Sequence, residues 1–311
     1  MSSFIPEEKH RMVLETGIDV PEEIPSFSIP IQKVGISGKT VWVCLTENNG
    51  GHLPFTARIQ VNLPATRRGI HMSRIEQVIT TLHNKQFASL PEYGKLLASN
   101  VLEAQNAQNV SLELTGRTPH IRKTSISRLA SIDSYEVSCT VKLAKNEHKT
   151  MENIQVSAGV HHLTACPCTL SYNEVLFNRF DDPYPQATHS QRSKTELSVS
   201  TNDSKQLPAY EVLLNILHEV LHVSQDLLKR PDETELVLKA HRQPQFAEDT
   251  VREIARAAGK KLKETLPPET KIQIKTLSLE SIHIHDVECC LETQLGEILA
   301  TSSAYIEDQK K

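Results

Sequence analysis

Two short stretches hold the groups that can do chemistry. Ala165-Cys166-Pro167-Cys168-Thr169 offers two thiols around a proline, and Thr188-His189-Ser190-Gln191-Arg192-Ser193 offers an imidazole, an amide and a guanidinium just ahead of a strand pattern. A sulfur and a nitrogen donor, completed by a distant carboxylate, make three protein ligands and leave a position open for water. That open position distinguishes a catalytic metal centre from a closed structural one. Pro167 holds the backbone extended and sends the two thiols in different directions, so one of them, rather than the pair, serves such a centre. The plainer alternative is two small buried hydrophobes at a strand end.

Acidic and imidazole groups further along can complete the set. Arg230-Pro231-Asp232-Glu233 reads as a breaker-and-charge turn and Phe246-Ala247-Glu248-Asp249 opens a helical pattern, which puts Glu233 and Glu248 at element ends. The helix dipole favours acidic residues at such positions whether or not they function. Ser281-Ile282-His283-Ile284-His285-Asp286 reads as a strand with His283 and His285 on one face. His218-Glu219-Val220-Leu221-His222 matches the zinc-protease pattern H-E-x-x-H. Its register argues against that chemistry. Leu213, Ile216, Leu217, Val220 and Leu227 form the apolar face of a helix expected over 210–228, which leaves His218 and His222 on the opposite, polar face, solvated or in a subunit contact, without a downstream third ligand.

The rest of the chain must position these groups. At 311 residues and 38% hydrophobic content it can bury one large or two fused domains. The net charge of -4 gives no basic footprint for nucleic acid. No apolar run approaches a membrane span and the first ten residues are polar, so the expected location is the cytoplasm. The six cysteines, among them the adjacent Cys289 and Cys290, suit ligands or buried thiols better than a disulfide framework.

Residues 1–28, with Pro6, Pro21 and Pro25 among acidic groups, read as an extended arm. Phe55, Ala57, Ile59 and Val61 then alternate with polar residues, the period of a half-buried antiparallel strand, with 40–45 as its partner. Helical patterns follow over 73–84, capped by Ser73, and 91–105, opened by Pro91, before strands resume at 110–114 and 135–143. The order then repeats: strands at 153–163 and 194–200, helices at 210–228 and 246–262, strands at 271–278 and 287–291. Two copies of one α+β unit account for this better than a single parallel sheet.

Gly69-Ile70-His71-Met72-Ser73-Arg74, the two stretches around Cys166 and His189, Arg230-Pro231-Asp232-Glu233, Phe246-Ala247-Glu248-Asp249 and the 281–286 stretch are six motifs in one order. Together they resemble the metal-dependent GTP cyclohydrolases of the bacterial type IB and archaeal MptA family, over residues 34–291. The resemblance implies an α+β tunnelling fold with antiparallel sheets and paired helices, its subunits assembling into a barrel. Residues 29–150 would form a first unit and 151–300 a second unit carrying the metal, between the 1–28 arm and a 301–311 tail. It further implies one divalent ion per subunit, Fe(II), Mn or Zn, held by Cys166, His189 and Glu233. Glu248 would anchor guanine, and His283 or His285 would transfer protons. His71, Arg74 and Arg192 are the cations suited to the triphosphate.

The implied reaction is hydrolytic opening of the guanine imidazole ring of GTP with loss of formate, by a homodimer or homotetramer with no nucleic-acid or membrane partner. Ile70 stands where the family usually has threonine, and Ser190 where it has asparagine. The long 173–186 stretch leans toward the archaeal branch and its 2',3'-cyclic phosphate product rather than the triphosphate. Two other readings are a non-catalytic, zinc-stabilised nucleotide-binding protein and another tunnelling-fold pterin or deazapurine enzyme.

Overall fold

The computed structural model describes residues 4–17, 19–46, 51–179 and 183–308. Alternating apolar residues build one antiparallel sheet of ten strands in the order β10-β9-β7-β6-β5-β4-β2-β1-β3, with β8 on β6. Its strands are β1 (Ile31–Leu45), β2 (His52–Leu63), β3 (Gln86–Phe87), β4 (Asn109–Lys123), β5 (Ala130–Lys145), β6 (Thr150–Ala165), β7 (Ser190–Thr201), β8 (His222–Val223), β9 (Lys271–Ser278) and β10 (Val287–Gln294). Among the described residues, only the short β1·β3 pair is parallel. The class is α+β with a large antiparallel sheet, as expected.

Period-2 alternation gives the sheet one apolar and one polar face. On the apolar face, α2 (Met72–His83) and α3 (Leu90–Ala104) cover β1, β2, β4 and β5, burying Ile75, Tyr93, Leu97 and Val101 against Ile59, Leu112 and Val141. In the same way α5 (Tyr210–Val220) and α7 (Ala247–Leu262) cover β6, β7 and β9, burying Leu213, Leu217 and Ile254 against Val156, Leu197 and Ile274. The strand, strand, helix, helix, strand, strand order thus occurs twice, with α4 (Pro167–Phe177), β8 and α6 (Arg230–Arg242) inserted in the second pass and α8 (Leu295–Asp308) following it.

Several elements differ from expectation. A helix, α1 (Glu7–Thr16), forms within the segment read as extended. Glu7 and Glu8 favour its N-terminus through the dipole, but it buries no residue, so no apolar period announces it. Residues 301–308, expected as tail, continue α8. Helix α2 is capped by His71 and not by Ser73, which lies inside its first turn. The long stretch after Cys168 begins as a helix, α4, which runs to Phe177, and Arg230-Pro231-Asp232-Glu233 is the first turn of α6 rather than a free turn. No helix among the described residues is long and apolar enough to cross a membrane.

Candidate active site

Where β6 ends, the chain passes into α4 through Cys166, whose extended backbone (φ -78°, ψ 120°) makes it the N-cap, with Pro167 in the first turn. The start of β7 pairs with this end of β6, Ala165 opposite Ser190. The Cys166 N–H donates to the His189 carbonyl at 3.0 Å, and the Thr188 hydroxyl donates to the Cys166 carbonyl at 2.8 Å. Long-range strand pairing therefore joins the thiol and imidazole stretches at one corner. Cys166 is half-buried and Cys168 exposed.

The loop between β9 and β10 covers the same corner, because β9 pairs with β7 as far as Ser278 opposite Ser193. The His283 ring lies 6.5 Å from that of His189, and the His285 ring stacks on His283 at 5.2 Å. The strand expected for 281–285 is not formed, and these residues are exposed loop bends. Same-face alternation is thus not what unites the two histidines; the loop curls them together. His189 Nδ1 lies 3.1 Å from Gln191 Oε1, which leaves the Nε2 side of the ring for a ligand.

Glu233 comes from another element, the first turn of α6. Its neighbour Asp232 is buried and bound to Ile126 N (2.8 Å), Ser127 N (3.0 Å), Ser127 Oγ (2.6 Å) and Lys229 N (3.2 Å), which fixes the start of α6 on the β4–β5 turn. The other end of α6 touches the site loop, His241 Nε2 donating to the Thr188 carbonyl at 3.3 Å. Glu233 sits eight residues before His241, roughly 12 Å back along the helix. Among the described residues, Cys166, His189 and Glu233 do not form a group with ligand atoms within 4.8 Å of one another. A thiol with an imidazole fits a borderline-soft divalent ion by donor chemistry.

Glu248 lies in the exposed first turn of α7, near Cys289 of the edge strand β10. Burial first, and then the Glu248 charge, raise the Cys289 thiol pKa. Cys289 pairs with Thr276, two residues in from Ser278, so Glu248 belongs to the same end of the sheet. Arg192 is there too, exposed on the polar face of β7.

His71 and Arg74 are not. They follow β2, whose last residues pair with the first of β1 and lie beside the start of β4. That is the end of the sheet where β6 begins, and the 16 residues of β6 put it on the order of 45 Å from Cys166. There His71 Nε2 binds Glu22 at 2.9 Å and lies 3.7 Å from Asp19, while Arg74 lies 3.8 Å from Asp19 and 4.0 Å from Glu22. Asp19, Glu22 and His71 do place possible ligand atoms within 4.8 Å. However, Arg67 Nη2 lies 2.9 Å from Glu22, which makes the group an ion-pair cluster rather than a cup for a cation.

Residues 18–288 match the model of the type I GTP cyclohydrolase family, folE2 type. The chain belongs to that family. The GTP cyclohydrolase MptA of Thermoplasma acidophilum is 30% identical over 90% of this chain and 96% of its own length. That of Methanocaldococcus jannaschii is 27% identical over 90% and 96%. A uricase from Bacillus fastidious shares the fold, with a TM-score of 0.53 at 10% identity over 88% of this chain and 96% of its own. This likeness supports a fold of the tunnelling type.

The H-E-x-x-H stretch of this type I GTP cyclohydrolase family member is not on one helix. Helix α5 ends at Val220, and His222 pairs in β8 with Leu163 of β6. His218 is also not solvated: it is half-buried, accepts from Arg122 Nη1 at 2.6 Å and packs against the Tyr135 ring at 5.3 Å. Burial and the Arg122 guanidinium push its pKa down to about 3. His162, buried and 2.8 Å from Thr195 Oγ1, is likewise pushed to about 3 by burial and by His222.

Both histidines therefore fold neutral. An unfolded chain takes up their protons near pH 6.5, so their contribution is complete above about pH 6.5 and is lost as pH falls toward 3. The urea midpoint of the wild type is expected to drop between pH 7 and pH 5, and His218→Gln to narrow that drop. Equal drops in the two proteins would remove His218 as a cause.

Sequence reading overlooked Glu280. It stands immediately before the 281–286 motif, two residues past the end of β9 at Ser278, and a carboxylate next to that motif was the available signal.

Proposed function

We infer that this chain is a GTP cyclohydrolase whose reaction is centred on the corner where Cys166, His189, His283 and His285 meet. The observation that carries this reading is the convergence of a thiol and three imidazoles from three separate segments, in a chain of the type I family. Membership in that family disfavours a non-catalytic nucleotide-binding role. We assign Cys166 and His189 to one divalent ion, Fe(II), Mn or Zn, with Glu233 as the remaining ligand implied by the motif match. Such an ion supplies Lewis acidity that makes water nucleophilic near neutral pH.

The chain's own groups do the rest. The Glu248 carboxylate accepts from the N1–H and exocyclic amine of guanine, donors that adenine lacks, and so selects the base. His283 or His285 carries protons to and from the opening ring, since imidazole exchanges protons near neutral pH. Arg192 meets the phosphates with a planar guanidinium fork. His71 and Arg74 can serve the same GTP only from a second copy, because one chain keeps them at the far end of the sheet. An assembly of two tandem units per chain, 29–150 and 151–300, into a multi-subunit barrel provides that second copy.

Incubation with GTP and each of Fe(II), Mn and Zn, followed by mass spectrometry, tests the function. Formate and a 7,8-dihydroneopterin phosphate are expected, as the 2',3'-cyclic phosphate with pyrophosphate released. An intact triphosphate product would reject the cyclic outcome, and unchanged GTP with every metal would reject the function.

A further inference from the structure

A hydrogen-bonded chain runs from the His189 imidazole to the Glu280 carboxylate. His189 Nδ1 is 3.1 Å from Gln191 Oε1. Gln191 Nε2 donates to Glu280 Oε1 at 3.2 Å and to Ser278 Oγ at 3.4 Å, and Ser278 Oγ donates to Glu280 Oε1 at 2.9 Å. Ser278 is buried and the other three are half-buried, so solvent does not freely substitute for these partners.

The far end of this chain sets the direction of every bond in it. The Glu280 carboxylate only accepts, so the Gln191 amide turns its NH2 toward Glu280 and its carbonyl toward His189. A carbonyl oxygen also only accepts, so His189 carries its proton on Nδ1. Reversing the amide would set oxygen against oxygen at Glu280. The Glu280 N–H donates to Asp286 Oδ1 at 3.2 Å, which closes the loop bearing His283 and His285.

We propose that Glu280, acting through Gln191, is a positioning residue that selects the Nδ1–H tautomer of His189 and leaves Nε2 as its free donor. Metal-binding histidines generally pass their second ring N–H to a carboxylate or carbonyl, and losing that partner costs about 10–100-fold in metal affinity or activity. Here an amide stands between ring and carboxylate. The consequence for metal binding rests on the assignment of His189 as a ligand, whereas the tautomer does not.

Long-range proton–nitrogen NMR of the 15N-labelled, metal-free protein at pH 8 reads which His189 nitrogen carries the proton, and a Co(II) titration followed by absorbance reads donor strength. The wild type is expected to show Nδ1–H. In Glu280→Gln the new amide donates as well as accepts, so Gln191 can turn over, the tautomers mix, and Co(II) affinity falls about 10–100-fold. The double exchange Gln191→Glu with Glu280→Gln puts the carboxylate beside His189 and the amide behind it. It should restore the wild-type tautomer, a rescue that a residue merely propping the loop would not give.

An Nε2–H tautomer in the wild type, an unchanged tautomer in Glu280→Gln, or a double variant no better than the single one overturns the proposal. A tautomer that moves as expected with unchanged Co(II) affinity supports the relay and instead removes His189 from the ligand set, so the two readings fail separately.

Discussion

Cys166→Ala is expected to yield a folded protein that holds little metal and turns over GTP at below roughly a thousandth of the wild-type rate, the thiolate being the soft anionic donor of the proposed centre. Folding should survive because Cys166 caps α4 through its backbone: its side chain makes no capping bond. The Cys166 N–H bond to His189 and the Thr188 bond to the Cys166 carbonyl do not involve sulfur and remain. Elemental analysis and circular dichroism separate the cases. A variant that keeps stoichiometric metal would remove Cys166 from the ligand set, even if its activity were lost.

Glu248→Gln should keep metal and fold but lose GTP recognition. In the first turn of α7 it is Asp249, not Glu248, that accepts from the Phe246 N–H, at 3.2 Å, so the helix cap is untouched. The substitution replaces a charged acceptor facing two guanine donors with an amide that can pair with only one of them. Charge-assisted hydrogen bonds contribute about 1.5–3 kcal/mol each, so the Michaelis constant should rise on the order of 100-fold or more. Inosine triphosphate, which lacks the exocyclic amine, sharpens the test. Wild type should discriminate strongly between GTP and the inosine analogue, and Glu248→Gln should largely lose that discrimination. Unchanged discrimination would place Glu248 outside the base pocket.

The elements that could be read from the chain are those with a buried face. Leu213, Ile216 and Leu217 of α5 and Val137, Cys139 and Val141 of β5 repeat at the spacing of their element because each must meet the core. Helix α1 buries nothing and α4 buries only Leu170, so neither carries a period strong enough to find. The helical pattern of α5 runs on past Val220 in the sequence because nothing local stops it there. The stop comes from β6, whose edge beyond Gly159, where its pairing with β5 stops, pairs with His222 and Val223. The same pairing breaks the H-E-x-x-H stretch between a helix and a strand.

By itself, the order and type of residues determined the available chemistry: a thiol, imidazoles, carboxylates and guanidinium groups in family order, and an apolar pattern sufficient for two passes of the same α+β arrangement. The tertiary structure decided which of these groups meet. Cys166, His189, His283 and His285 are brought together by β6, β7 and β9 pairing, while Glu233 stays with the first turn of α6 and His71 and Arg74 lie at the other end of the sheet. Sequence spacing could not have shown this, because strand register and the docking of α6 through Asp232 depend on partners tens of residues away. A side chain's own neighbours specify what it can do, and only the distant pairing of its element specifies to what.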